Sequence, residues 1–135
     1  MEAGNRTLCI ASLNPDTFIN PDQRLTIANM LILRKIHIAA IQETHIPHDL
    51  DYTLNGYRII TSAIKQIPEQ TNPQTGLHIG GVAILIHEDL THHITSIVRT
   101  NHRIMAATLQ SQNTPTPVTI INKYAPHKGL RKQEK

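Results

Sequence analysis

At 135 residues, with 39% hydrophobic and 17% charged side chains, the chain suits one domain with a real core and does not have a disordered composition. A formal charge of +3 and a pI near 9.2 are compatible with a phosphate-bearing partner without selecting one. The single cysteine, Cys9, excludes an internal disulfide and a thiolate metal site, and no apolar run approaches the roughly 18 residues of a membrane span.

Aromatic residues total 3% and tryptophan is absent, so the core is aliphatic, which favours strands. The polar start "MEAGNRT" shows no signal peptide, and the lone cysteine fits a reducing, intracellular compartment. "TLCIASL" (7–13) reads as a first strand, followed by the turn formers of "NPDTFINPD". A helix is expected over 21–35, with Asn20 as its cap, Pro21 at its first position and Gln23 reaching back as in a capping box. Its apolar stripe is Leu25, Ala28 and Ile32, flanked by Ile27, Met30 and Leu31, with Arg34 and Lys35 in the last turn.

"IHIAAIQE" (36–43) reads as a second strand. Strand, helix and strand in this order suggest a βαβ-like unit with parallel neighbours. Their C-terminal ends then share one edge, which holds Asn14 and Asp16 from the first and Glu43 from the second. Further strands are expected at 56–62, 82–87, 93–98, 103–110 and 118–125, at spacings that suggest antiparallel sheet, with a polar loop at 65–81. "LRKQEK" closes the chain as a charged or frayed end.

Asn14, Asp16 and Glu43 supply oxygen donors of the kind Mg²⁺ prefers, at strand ends where ligand sites gather. The competing reading is a plain turn and a solvated strand end. Nine histidines include His45 and His48, three apart, and adjacent His92 and His93, but no HExxH pattern supports zinc. "GLHIGGVAILI" is not a dinucleotide fingerprint; Gly80 and Gly81 fit a sharp approach to strand 82–87 or close backbone contact. Tyr124, at a strand end, can donate to a phosphate or simply pack there.

In order, "IASLNPD", "IAAIQETH", "GGVAILI" and "INKYAPH" resemble the endonuclease/exonuclease/phosphatase superfamily. "QETH" and "NKYAPHKG" look most like the AP-endonuclease-like domain of non-LTR retrotransposons, and the likeness spans about residues 7 to 130. The resemblance implies an α/β fold, the N-terminal half of a four-layered α/β sandwich with mixed, mostly antiparallel sheets and a flanking helix. It also implies a DNA-nicking phosphodiesterase that uses Mg²⁺, with Mn²⁺ as substitute. By the same resemblance Glu43 holds the metal, and Asn14, Asp16 and Tyr124 position the phosphate. Asn122 supports the sheet edge, and His45 belongs to the "QETH" motif.

The family's second half carries a Gly-Asp-x-Asn motif, a late acidic residue and a Ser-Asp-His motif. This sequence has no Gly-Asp pair and no aspartate after Asp89. Residues 1–135 are therefore expected to form one partial domain, truncated C-terminally and inactive alone. An apolar sheet face is expected to await the missing half or to drive self-association. The implied partner is DNA, with no membrane role, in the nucleus if the retrotransposon likeness holds. Two rivals stand beside it: a non-enzymatic remnant with weak, salt-dependent nucleic-acid binding, and a phosphoesterase of the same superfamily acting on lipid or inositol phosphates.

Overall fold

The computed structural model describes residues 7–15, 18–63, 80–112 and 116–125. The elements run β1 (Ile10–Leu13), α1 (Pro21–Leu33), β2 (Ile38–Gln42), β3 (Asp51–Leu54), β4 (Tyr57–Ser62) and β5 (Val82–His87). A 3-10 helix (Glu88–His93) then leads into β6 (Ile94–Asn101), β7 (Ile104–Leu109) and β8 (Val118–Lys123). This is an α/β protein with one mixed and one antiparallel sheet: a five-stranded sheet ordered β1-β2-β5-β4-β3 and a three-stranded sheet ordered β6-β7-β8.

β1 and β2 pair in parallel, Ile10 opposite Ile38 and Leu13 opposite Ile41, as the strand–helix–strand order suggests. The other pairings are antiparallel. β2 and β5 are buried on both faces, which explains why "IHIAAI" and "VAILI" read as continuous apolar runs rather than alternating ones. Side chains still alternate between two cores. Ala39, Ile41, Ala83 and Leu85 face α1 with Ile27, Ala28 and Leu31. Ile38, Val82, Ile84 and Ile86 face Met105, Ala107 and Leu109 of the second sheet.

One face of the five-stranded sheet is covered by α1 and the other by the second sheet, because β6–β8 fold back over β5. Exposed apolar side chains lie elsewhere, at the β1 edge (Ile10, 49% exposed) and on the outer side of the second sheet (Val98 and Ile121, 66% for the latter). Arg99 joins the two sheets. Its Nε donates to Thr61 O at 2.8 Å and its guanidinium also reaches Leu50 O at 3.0 Å.

α1 starts where expected. Asn20 Oδ1 accepts from Asp22 N at 2.8 Å, with Pro21 in the first turn. Gln23 does not complete a capping box; its amide donates to Pro15 O at 3.2 Å. The helix stops at Leu33, short of Arg34 and Lys35. Lys35 takes a left-handed φ of 56°, and the N–H groups of Lys35 and Ile36 bond Ile32 O and Leu31 O, as in a Schellman motif. The buried stripe is Ile27, Ala28 and Leu31, while Leu25 and Ile32 are exposed. The sequence offers apolar residues around most of this helix, so its rotation is set by a tertiary contact. Arg24 donates to Phe18 O, Ile19 O and Tyr52 Oη, which turns that side of the helix toward β3.

β3 and the 3-10 helix were not expected. β3 pairs with β4 through a two-residue turn, Asn55-Gly56, with φ of 48° and 90° as a type I′ hairpin needs. The bidentate pair between Arg58 and Asp51 (2.9 and 2.7 Å) reinforces it and holds the Asp51 carboxyl below the usual carboxylate range. Among the described residues, no helix is long and apolar enough to cross a membrane.

At the start of β2, His37 Nδ1 accepts from Cys9 N at 2.9 Å, which requires that nitrogen unprotonated. Burial, and then the neighbouring His87, hold the His37 pKa below the ordinary histidine value, against an opposing pull from Asp89. A depressed folded-state pKa makes this contribution complete above about pH 6.5 and progressively lost below it, because the unfolded chain takes the proton first. Urea unfolding should show a lower midpoint at about pH 5.5 than at about pH 7.5, and His37→Asn, which keeps an acceptor but cannot titrate, should remove part of that difference.

Candidate functional site at the Glu43 strand edge

Glu43 directly follows β2, where the chain leaves the sheet in an unusual conformation. Glu43 and His45 have φ of 52° and 58°, left-handed values uncommon for residues with a Cβ. Tertiary bonds hold them there. Thr44 N donates to Gly81 O (3.0 Å), His45 N to Gly80 O (2.9 Å) and Phe18 N to Thr44 O (3.1 Å). Gly81 N in turn donates to His102 O at 2.9 Å.

Gly80 and Gly81 both have positive φ, 82° and 91°. A Cβ on Gly81 would lie well inside contact distance of Thr44 Oγ1, and one on Gly80 would meet the His102 ring. The expected close backbone approach at these glycines is what the structure contains.

The turn aims the Glu43 carboxylate between the end of β1, which pairs with β2, and the end of β8 in the second sheet. Asn14 Nδ2, just past β1, donates to Oε2 at 3.0 Å. Tyr124 Oη, just past β8, donates to Oε1 at 2.8 Å. Burial, and then the hydrogen bond to Glu43 with its charge, push the Tyr124 pKa up to about 12, with Arg103 pulling the other way. The phenol is therefore protonated at neutral pH and acts as a donor. Its strand is anchored by Tyr124 N donating to Arg103 O at 2.8 Å.

Beneath this lies a second set of bonds. Asn122, 2% exposed, donates to Ile41 O (2.9 Å) and Ala83 O (2.8 Å), so it ties β8 to β2 and β5. Gln42 Nε2 lies 3.0 Å from Asn122 Oδ1 and 3.1 Å from Ser12 Oγ. Gln42 and Ser12 were not singled out from the sequence.

The structure brings together Asn14, Glu43, Asn122 and Tyr124, which are up to 110 positions apart (124 less 14). Asp16 lies outside the described residues. His45 enters through its backbone N–H. His92 and His93 have ring centroids 3.9 Å apart, tilted 41° to each other, at the opposite end of the five-stranded sheet, beside an open cleft with Gln110 and Gln112. Among the described residues, no three His, Cys, Asp or Glu side chains converge as a metal-binding group.

A divalent cation at Glu43 would thus have one protein carboxylate among the described residues. That donor set fits Mg²⁺, which keeps several waters and commonly takes one or two carboxylates plus substrate phosphate. Glu43 is half-buried, and each carboxylate oxygen, having accepted one hydrogen bond, retains accepting capacity. No family model matches the chain, and no curated protein matches it.

Two substitutions test this construction. Gly81→Ala combines an unfavourable φ with a clash at Thr44 and should cost about 1–3 kcal/mol in urea unfolding. Asn122→Ala strands the carbonyls of Ile41 and Ala83 and should cost about 2–3 kcal/mol by the same measurement.

Proposed function

We propose that this chain is part of a Mg²⁺-dependent phosphodiesterase of the endonuclease/exonuclease/phosphatase type, of the branch that nicks DNA. The observation that carries the reading is the convergence of Asn14 and Tyr124 on the two oxygens of Glu43, at the ends of three different strands. The resemblance in sequence names those same three residues as phosphate and metal ligands. Glu43 would hold the ion, and Mg²⁺ when bound supplies charge that polarises a phosphoryl oxygen and stabilises a displaced one. Mn²⁺ would substitute.

The chain's own groups then bind and orient. The Tyr124 phenol, kept protonated, donates to a phosphate oxygen, and the Asn14 amide offers a second donor. Asp16 stands beside them in the resemblance. α1, the five-stranded sheet and the three-stranded sheet would be three layers of a four-layered sandwich. The fourth would lie over the outer side of β6–β8, where Val98 and Ile121 are exposed.

The reading assigns binding, not turnover, to residues 1–135, because the Gly-Asp-x-Asn and Ser-Asp-His motifs that would activate water are not in this sequence. A nuclear compartment follows from the DNA-nicking branch. One observation favours the non-enzymatic rival: both Glu43 oxygens already accept hydrogen bonds within the chain, so the cluster is satisfied without an ion.

Mn²⁺ titration followed by electron paramagnetic resonance separates the two. Weak binding that falls on the order of tenfold or more in Glu43→Gln is expected, without nicking of supercoiled DNA by the wild-type chain. Equal Mn²⁺ affinity in the variant would sink the metal assignment. DNA binding insensitive to EDTA, together with that equality, would establish the rival.

A further inference from the structure

We propose that Gln42 is a positioning residue: its carboxamide spans β1 and β8 and sets the spacing at which Asn14 and Tyr124 reach Glu43. Its significance rests on the phosphate-site reading of this edge; its geometry does not.

The contacts form two rungs across the same three strands. On the lower rung Gln42 meets Ser12 of β1 and Asn122 of β8. On the upper rung Glu43 meets Asn14 and Tyr124. Ser12 lies in β1 with Asn14 just past its end, and Asn122 lies in β8 with Tyr124 just past its end, so each pair is two residues apart and both of its members reach the β2 edge. One residue along β2 therefore matches two along each neighbour. Strand alternation alone would send Glu43 to the opposite face from Gln42; the left-handed φ at Glu43 accompanies its return to the same side.

Within the lower rung the two arms of Gln42 are chemically different. Toward β8, Nε2 donates to Asn122 Oδ1 at 3.0 Å, and Asn122 spends its own N–H groups on Ile41 O and Ala83 O. Toward β1, Gln42 and Ser12 are reciprocal: Nε2 is 3.1 Å from Ser12 Oγ, and Ser12 Oγ is 3.4 Å from Gln42 Oε1. The same Nε2 also lies 3.2 Å from Ala40 O, so its N–H groups are shared among three acceptors. A carboxylate at this position loses the donor for Asn122 and the Nε2 donor to Ser12, but keeps an acceptor to which the Ser12 hydroxyl can donate. Removing the Ser12 hydroxyl keeps the donor for Asn122 and loses both contacts toward β1.

That asymmetry gives a crossed test on the metal-free chain, by NMR of the tyrosine Cζ and asparagine side-chain amide resonances. Gln42→Glu should move the Tyr124 Cζ signal toward its position in Glu43→Gln and leave the Asn14 amide where it is. Ser12→Ala, at an exposed position, should move the Asn14 amide and leave Tyr124. Tyr57, whose hydroxyl donates to Ile36 O away from this edge, is the internal control and should not shift in either variant. A merely structural role would lower the unfolding midpoint of both variants without the crossed pattern. Unmoved signals in both, or both signals moving together in both, would overturn the proposal. If Gln42→Glu does not fold, Ser12→Ala decides on the Asn14 signal alone. Since no metal or DNA enters this experiment, its outcome is independent of the Mn²⁺ titration.

Discussion

The backbone of Gly80 and Gly81 lies directly against Thr44 and His45, and the rest of the site depends on that contact. It extends the β2–β5 pairing past the last residue of β2 and holds Glu43 and His45 in left-handed conformations. Each such residue costs about 1–2 kcal/mol relative to ordinary backbone. The cost is met by hydrogen bonds on Thr44 and His45 and by the fully buried Thr44 hydroxyl, which accepts from Ile46 N at 3.2 Å. Without this turn the Glu43 side chain would follow strand alternation away from Gln42's side, and the two flanking donors could not meet it. The same glycines pass the constraint on to the β6–β7 connection through Gly81 N and His102 O.

A second consequence follows from how the two sheets stack. β8 lies over β2 and β5, so a residue near the end of the described chain comes to rest beside one near its start. Asn122 is the joint. Its three partners are on β2 and β5, and it sits where a mismatch in height between the sheets would leave buried polar groups unpaired. Among the described residues no buried side-chain nitrogen or oxygen lacks a partner, so the polar seam between the two cores is closed. A closed seam of this kind rigidifies what it joins, and here it joins the elements that carry Glu43 and Tyr124.

The chemistry such an edge can offer follows from its donors. A protonated phenol and a carboxamide, both already aimed at a carboxylate, are donors to whatever anion takes its place or shares it. A phosphate group approaching with a divalent cation would exchange these internal hydrogen bonds for its own oxygens with little reorganisation. Under the proposed phosphodiesterase reading, that exchange would link the satisfied cluster in the free chain to phosphate binding, with Tyr124 and Asn14 changing partners.

Much of this was legible in the residues themselves. The apolar runs at 38–42 and 82–87, the Asn20-Pro21 helix start and the parallel pairing of β1 and β2 follow from local pattern, because burial and capping are written at strand and helix spacing. The strand-edge location of Asn14 and Glu43 followed from that order. β3 was missed although Asn55-Gly56 announces its hairpin, since "DYTL" is too short and half-exposed to stand out alone. The rotation of α1 was not decidable, as its sequence is apolar on several sides and Arg24's partners come from outside the helix. Nor could Gln42 be told from an ordinary strand-end glutamine, because its partners are 30 and 80 residues away. The sequence by itself determined, to within one residue, where β1, β2, β4 and β5 end. Only the tertiary structure decided which of those ends meet, because that depends on the stacking of two sheets and on one glycine-lined turn that no local periodicity encodes.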